Sequence, residues 1–247
     1  MSEISSTVAK RNFVGKTDVG IRRTNNEDCY YIDPEGRFCL VADGMGGHAG
    51  GQEASRLASE KISAYLEEHW EADMDCHSLL EAAFYYANQS IVEDQASYPE
   101  REGMGTTAVV LLFHQKDVWY GHVGDSRFYL LRDNQLQQIT HDHTWIAHAL
   151  KIGEISPQEA TSHPWRHVLF QCLGRKELPE VEIGTITVEN GDRLLLCSDG
   201  LIEDVSEADI KHLLQSDASN EQIAAELVEA AKQNGGSDNI TVVFITF

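Results

Sequence analysis

The 247-residue sequence predicts an α+β fold in which two mainly antiparallel sheets pack on each other with helix pairs outside. Three observations carry this. Short apolar and β-branched runs, bounded by Gly and Asp, recur at 38–42, 106–113, 117–123, 127–131, 193–197 and 240–247 and read as strands. From 106 to 140 the runs follow one another closely, with GDS and RDNQ as turns, which predicts antiparallel pairs and excludes a doubly wound parallel sheet. Segments of helical period come in two blocks inserted between the strand runs.

Taken in order, FCLVAD is a strand that runs into the glycine loop GMGGHAGG. GQEASRLASEKISAYLEEHW then places Ala54, Leu57, Ala58, Ile62, Tyr65 and Leu66 on one helical face, and SLLEAAFYYANQSIVEDQ supplies a second helix, so the two predict a hairpin. The late block consists of SEADIKHLLQ and NEQIAAELVEAAKQ, the latter with Ile223, Ala224, Leu227, Val228 and Ala231 as its apolar stripe. Ser206 and Asn220 are the expected N-caps and Gly235 the expected terminator. Without an internal repeat, a low-complexity tract or a Pro/Gly/Ser linker, residues 1–247 read as one domain.

Composition narrows the function. A hydrophobic content of 42% with 24% charged residues is that of a soluble globular protein. Nineteen basic against forty acidic side chains give a net charge of −21, which disfavours nucleic acid and anionic membranes and favours cations. The longest apolar stretch, AVVLLF, is far short of a membrane span, and MSEISSTVAKR lacks the apolar block of a signal peptide, so a cytoplasmic protein is expected. Five cysteines without a C-x-x-C pair suggest reduced, partly buried thiols rather than disulfides or a zinc knuckle.

The chemistry is concentrated in acids. In VADGMGGHAGG a carboxylate, Asp43, precedes a glycine loop of the kind that usually cradles anions, where it would repel a phosphate. Asp125 in HVGDS, Asp199 in LLLCSDG and Asp238 in GGSDN also sit beside small or turn residues next to apolar runs, and the pair Glu27-Asp28 lies just ahead of another. Any one of them is an ordinary turn residue. Five such sites converging from strand ends would repel one another unless a cation sat between them, and hard divalent ions such as Mg²⁺ or Mn²⁺ take oxygen ligands of this kind. On this reading the loop meets phosphate through a metal held by Asp43, with Gly44 offering its carbonyl.

GIRRTNNED, VADGMGGHAGG, GTTAVV, HVGDSR, LLLCSDGL and GGSDNITVV, in this order, resemble the metal-dependent protein serine/threonine phosphatases of the 2C type (the PPM family), from about residue 12 to the end. DGMGGH resembles the bacterial branch, and HDHTWIAHAL and HPWRHVLFQCLGR resemble the cyanobacterial phosphatase that acts on the phosphorylated signalling protein PII. The resemblance implies a four-layer α-β-β-α sandwich with a flap subdomain over about 143–172 near the active site, whose Trp145, Trp165 and Arg166 are placed to meet a protein substrate or to pack. It implies a two-metal centre with Asp43 bridging, the carbonyl of Gly44, Asp199 and Asp238 on the first ion, and Glu27 or Asp28 on the second. Asp125 and Asp199 match the ligands of a third, weaker ion, and Arg23 matches the arginine that binds substrate phosphate, with Arg22 its solvated neighbour.

The activity so implied is hydrolysis of phosphoserine and phosphothreonine in signal transduction by direct attack of a metal-activated hydroxide, with Mn²⁺ or Mg²⁺ as cofactor and a monomeric enzyme acting on a phosphoprotein. His48 is the candidate general acid, although Met45 stands where eukaryotic members place their histidine. The pairs His141/His143 and His163/His167 have metal-like spacing, but structural or surface roles are expected for them. Two rival enzymes fail on residues: Asp43 disfavours pyrophosphate at the G-x-G-x-x-A match, and no cysteine has an arginine six positions on. A catalytically silent, phosphatase-like binding module is the non-enzyme alternative, and it would be expected to have lost a metal acid.

Overall fold

The computed structural model describes residues 11–46, 50–178 and 180–247. One sheet runs β2(Asp28–Ile32), β3(Phe38–Met45), β5(Ala108–His114), β6(Asp117–Val123), β9(Glu182–Thr187), with the short β4(Gly105–Thr106) paired to the end of β3. The other runs β1(Asn12–Asp18), β11(Ile240–Thr246), β10(Arg193–Cys197), β7(Arg127–Arg132), β8(Gln135–Gln138). The pairings in both are antiparallel.

The strand period of two decides how the layers stack. On β3, Cys39 and Val41 face the opposite sheet, where they meet Phe128, Leu196 and Val243, while Phe38, Leu40 and Ala42 face outward onto helices. Those helices are α1(Gly50–His69) and α2(Cys76–Ser97), which bring Ala54, Leu57, Ala58, Ile62, Phe84 and Ile91 to the same cluster. Beyond the second sheet, α5(Asp199–Asp204), α6(Glu207–Leu214) and α7(Asn220–Asn234) cover Val242 and Phe244 of β11 with Leu201, Ile210, Ile223 and Leu227. The result is the helix–sheet–sheet–helix stack expected, with three apolar clusters between four layers.

Some expectations change. GDS does not close a hairpin: β6 and β7 belong to different sheets, and Gly124, at φ +114°, carries the chain across. RDNQ does close one, with Asp133 and Asn134 both at positive φ, the backbone of a tight β7–β8 turn. Ser206 caps α6 by accepting from the Asp209 N–H, but α7 is capped by Ser219 in a reciprocal box with Gln222. Asn220 is instead a buried first-turn residue whose Nδ2 donates to the Asn12 carbonyl and Thr246 Oγ1. Gly235 ends α7 as expected. The flap region contains α3(Trp145–Lys151) and α4(Pro157–Ser162), which the apolar periodicity does not announce. All five cysteines are free thiols, and no helix among the described residues is long and apolar enough to cross a membrane.

Candidate metal centre

The acids meet at one rim of the sandwich because each closes or opens a strand there. Asp43 lies near the end of β3 and is in register with Asp28, the first residue of β2. Asp199 follows β10 as the first residue of α5, Asp238 precedes β11, and Asp125 sits in the crossing between β6 and β7. Hydroxyls pin these ends: Thr107 Oγ1 accepts from the Asp43 N–H at 2.9 Å and contacts Ser126 Oγ at 2.7 Å, and Thr106 Oγ1 donates to the Asp43 carbonyl at 2.8 Å. Ser198 Oγ donates to Asp28 Oδ2 at 2.7 Å and accepts from the Thr241 N–H at 3.0 Å. Gly44 is required, since a Cβ there would lie 2.0 Å from the Gly51 carbonyl oxygen.

Electrostatics make this rim fit for a cation. Burial, then the charges of Asp28, Asp199 and Asp125, push the Asp43 carboxyl well above the usual range. Burial, then Asp125, Glu203 and Asp238, do the same to Asp199. Burial raises Asp28 to about 6 against hydrogen bonds from Ser198 and Thr241 that oppose it, and burial with Asp142 raises Asp125 to about 7. Asp28 Oδ1 and Asp199 Oδ1 are buried without a hydrogen-bond partner among the described residues. Leaving such oxygens unpaired costs free energy that a divalent cation would offset, and an all-oxygen donor set fits hard ions. The residues therefore fit the metal pair that the acids predict.

Arg23 stands at the edge of this cluster, half exposed, its Nη2 2.6 Å from Asp238 Oδ2. Desolvation alone would lower its pKa, but Asp238, Glu27 and Asp199 outweigh it and raise it. With Asn25, Glu27, Met45, Gly46 and Asn239 it lines a cleft of about 320 Å³. Glu27 and Asp28 reach the rim from different sides: Asp28 joins Asp43 in the cluster, and the Glu27 carboxylate lies beside the Gly44 carbonyl, since a Cβ on Gly51 would come 2.0 Å from Glu27 Oε2 and 2.8 Å from the Gly44 oxygen. Arg22 is exposed, as expected. His48 lies outside the described residues.

The flap histidines separate. His163 stacks on Trp145 with ring centroids 4.7 Å apart, and Trp165 meets Trp145 edge-on at 5.0 Å, so both tryptophans pack while Trp165 stays half exposed. His167 reaches the acid rim: its Nδ1 is 2.7 Å from Glu203 Oε1, and both can offer ligand atoms within 4.8 Å of one from Asp199. Arg166 Nε donates to His167 Nε2.

Sequence reasoning missed Glu203, Ser198, Thr107 and Asn239. Asn239 accepts the Glu27 N–H through Oδ1 at 2.7 Å and donates through Nδ2 to the Val19 and Asn25 carbonyls, fixing the loop that carries Arg23. The motifs GTTAVV, LLLCSDGL and GGSDNITVV contain three of these four, but nothing in their spacing tells a hydroxyl or amide that braces a ligand from one that caps a turn.

Residues 21–241 match the family model for protein phosphatase 2C. The chain belongs to the protein phosphatase 2C family. The serine/threonine protein phosphatase PstP of Mycobacterium tuberculosis is 41% identical over 231 residues, 94% of this chain, which spans 44% of that relative's length. The protein phosphatase PhpP of Streptococcus pneumoniae is 36% identical over 238 residues, 93% of this chain and 95% of that one. A crystal structure of Mycobacterium tuberculosis PstP superposes with a TM-score of 0.86 at 39% identity, covering 96% of this chain and 98% of that one. Another, of the PstP catalytic domain in complex with two manganese ions, gives 0.84 at 37%, covering 96% and 97%. This 2C-type fold is the one the strand and helix blocks predict.

Proposed function

We propose that this chain is a 2C-type phosphatase that hydrolyses phosphoserine and phosphothreonine in proteins, with two Mn²⁺ or Mg²⁺ ions held by Asp43, the Gly44 carbonyl, Asp199, Asp238 and Glu27 or Asp28. The observation that carries this reading is the pair of buried oxygens without a hydrogen-bond partner among the described residues, Asp28 Oδ1 and Asp199 Oδ1, in a carboxylate cluster bordered by Arg23. PstP with two manganese ions supports the metal count. Bound cations would supply Lewis acidity, lowering the pKa of water and neutralising phosphate charge.

The chain's own groups do the rest. Arg23 grips phosphate oxygens through its planar fork and holds the ester in line without joining the chemistry. Ser198, Thr106 and Thr107 fix the carboxylates so that their charges need no rearrangement during reaction. Asp125 with Asp199 forms a third, weaker site, and His48 is the candidate proton donor to the leaving serine or threonine oxygen. A silent module is disfavoured, because every matched acid is in place.

The finer reading is that residues 1–247 form one catalytic domain with its flap over about 143–172, acting as a cytoplasmic monomer in signalling, and that phosphorylated PII is the substrate. Two flap segments, HDHTWIAHAL and HPWRHVLFQCLGR, carry that similarity. The test is turnover of phosphorylated PII against a panel of unrelated phosphoproteins, with Mn²⁺ and after exhaustive chelation. Metal-dependent turnover with preference for PII is expected. Full activity after chelation overturns the metal reading, and equal turnover across the panel overturns PII.

A further inference from the structure

Away from the acid rim, one partly buried carboxylate gathers three histidines. Glu182 opens β9 opposite His122 of β6. His122 Nδ1 is 3.0 Å from Glu182 Oε2, His141 Nδ1 is 2.8 Å from Oε1, the His141 N–H donates to Oε2 at 3.1 Å, and His143 Nε2 lies 3.7 Å from Oε2. His122 is fully buried and its Nε2 has no partner among the described residues. Between the two histidines of the 141–143 loop, Asp142 makes a two-pronged pair with Arg127, at 2.6 and 2.9 Å. The cluster borders a cavity of about 1130 Å³ beneath α3, distinct from the Arg23 cleft.

His143 has contacts on two sides. Toward the acid rim it brackets one glycine: its N–H donates to the Gly124 carbonyl at 2.7 Å, and its Nδ1 accepts from the Gly124 N–H at 3.2 Å. Gly124 precedes Asp125, and no side chain fits there, since a Cβ would lie 2.5 Å from Thr107 Cγ2. Toward the flap, the His143 carbonyl accepts from the Phe170 N–H at 2.7 Å, and Thr144 bridges Leu169. One residue therefore joins the base of the flap to the turn that carries Asp125.

We propose that His143 is a positioning residue, set in the Nε2–H tautomer by the Gly124 N–H and favoured there by the Glu182 charge facing Nε2 at 3.7 Å, so that its Nδ1 holds the Gly124–Asp125 turn while its carbonyl anchors the flap. The inference rests on the third-site reading of Asp125 above. A metal ion on this cluster is the competing use, since His122, His143 and Glu182 offer donor atoms within 4.8 Å of one another. A histidine that ligates a metal through one nitrogen carries a proton on the other and donates it. At His143 that other nitrogen faces an N–H, which needs a lone pair, so the hydrogen bond selects the tautomer and disfavours the ion. Burial, then His122, lowers His143 to about 4, and a neutral ring with a single N–H is what this arrangement uses.

The test starts on wild-type protein: long-range ¹H–¹⁵N spectra of the imidazoles should show His143 protonated on Nε2 alone, unchanged by chelator. Glu182→Gln and His143→Ala should then be cleaved several-fold faster within the flap by chymotrypsin, and kcat on a phosphothreonine peptide should fall several-fold with little change in KM. His143→Asn, which keeps an acceptor near the Nδ1 position, should recover most of both losses. An Nδ1–H tautomer, ring signals that shift when metal is stripped, or wild-type flap cleavage in folded Glu182→Gln and His143→Ala overturns the proposal. Asp125→Ala separates it from the reading beneath it: wild-type kcat in that variant overturns the third site and leaves tautomer and cleavage to decide the coupling.

Discussion

Two partly buried carboxylate sites in this molecule are built in opposite ways. Around Glu182, burial would raise the pKa, but hydrogen bonds from His122 and His141 outweigh it and hold the group down at about 2. Around Asp43 and Asp199, burial and neighbouring carboxylates act together and push both groups up, and among the described residues Asp28 and Asp199 each keep an oxygen unpaired. The first site has its donors in the fold and stabilises it. The second has been left short of positive charge, which a folded protein tolerates where a cation is to be bound.

The largest test of this contrast removes charge from the crowded site. Asp43→Asn or Asp199→Asn should reduce turnover with Mn²⁺ by more than the roughly 10- to 100-fold typical of outer-shell partners, while melting in chelator stays level or rises because a repelling charge is gone. Near-wild-type kcat in either variant would break the contrast. Asp125→Ala should be milder: kcat lower by on the order of tenfold, about 1.4 kcal/mol of barrier, with two metal ions still bound per molecule by titration calorimetry. Smaller again is Arg23→Ala, whose charge is shared with Asp238 at the rim. It should raise KM several-fold with a lesser loss in kcat, and an unchanged KM with collapsed kcat would move Arg23 from positioning into transition-state stabilisation.

The smallest effect sharpens the comparison through pH. Asp28 is raised from 3.8 to about 6 and Asp125 from 3.8 to about 7, so the folded chain binds protons there that the unfolded chain has released. Their contribution is present below pH 3.8 and is lost as pH rises through about 6 and 7. In chelator, Asp28→Asn should therefore melt higher than wild type near pH 7.5 and lose that advantage toward pH ~4. Glu182 has the opposite sign: lowered from 4.5 to about 2, it stabilises above 4.5 and the contribution is lost as pH falls through about 2. Glu182→Gln should be the less stable protein at neutral pH, with the gap closing in acid. Thermal melts at matched ionic strength check both, and parallel curves for the two variants would remove the distinction.

What was legible divides along the same physical line as burial. The six runs read as strands are β3, β5, β6, β7, β10 and β11, and every one of them lies inside its sheet. The edge strands β1, β2 and β9 were not announced, and β8 showed only through the turn before it. An interior strand here is covered by a sheet on one face and helices on the other, so it must be apolar throughout, whereas an edge strand such as EIGTIT or NFVGKTD keeps one side in water and loses the pattern. The metal acids were legible because a carboxylate next to a buried run is costly and therefore conspicuous.

By itself the sequence determined the layered class, the helix hairpin, the acidic rim and the kind of ion it suits, since these follow from periodicity and from charge that nothing nearby in the chain offsets. Only the tertiary structure decided that Asp28 stands in register with Asp43 while Glu27 reaches the Gly44 carbonyl beside α1, that Gly124-Asp125-Ser126 crosses between sheets instead of closing a hairpin, and that His122, His141 and His143 gather around Glu182. Those outcomes depend on groups brought together from distant parts of the chain, 41 to 60 residues apart for His141 and His122 with Glu182. Side-chain hydrogen bonds act over about 3 Å, and no local pattern encodes which distant segments will come that close.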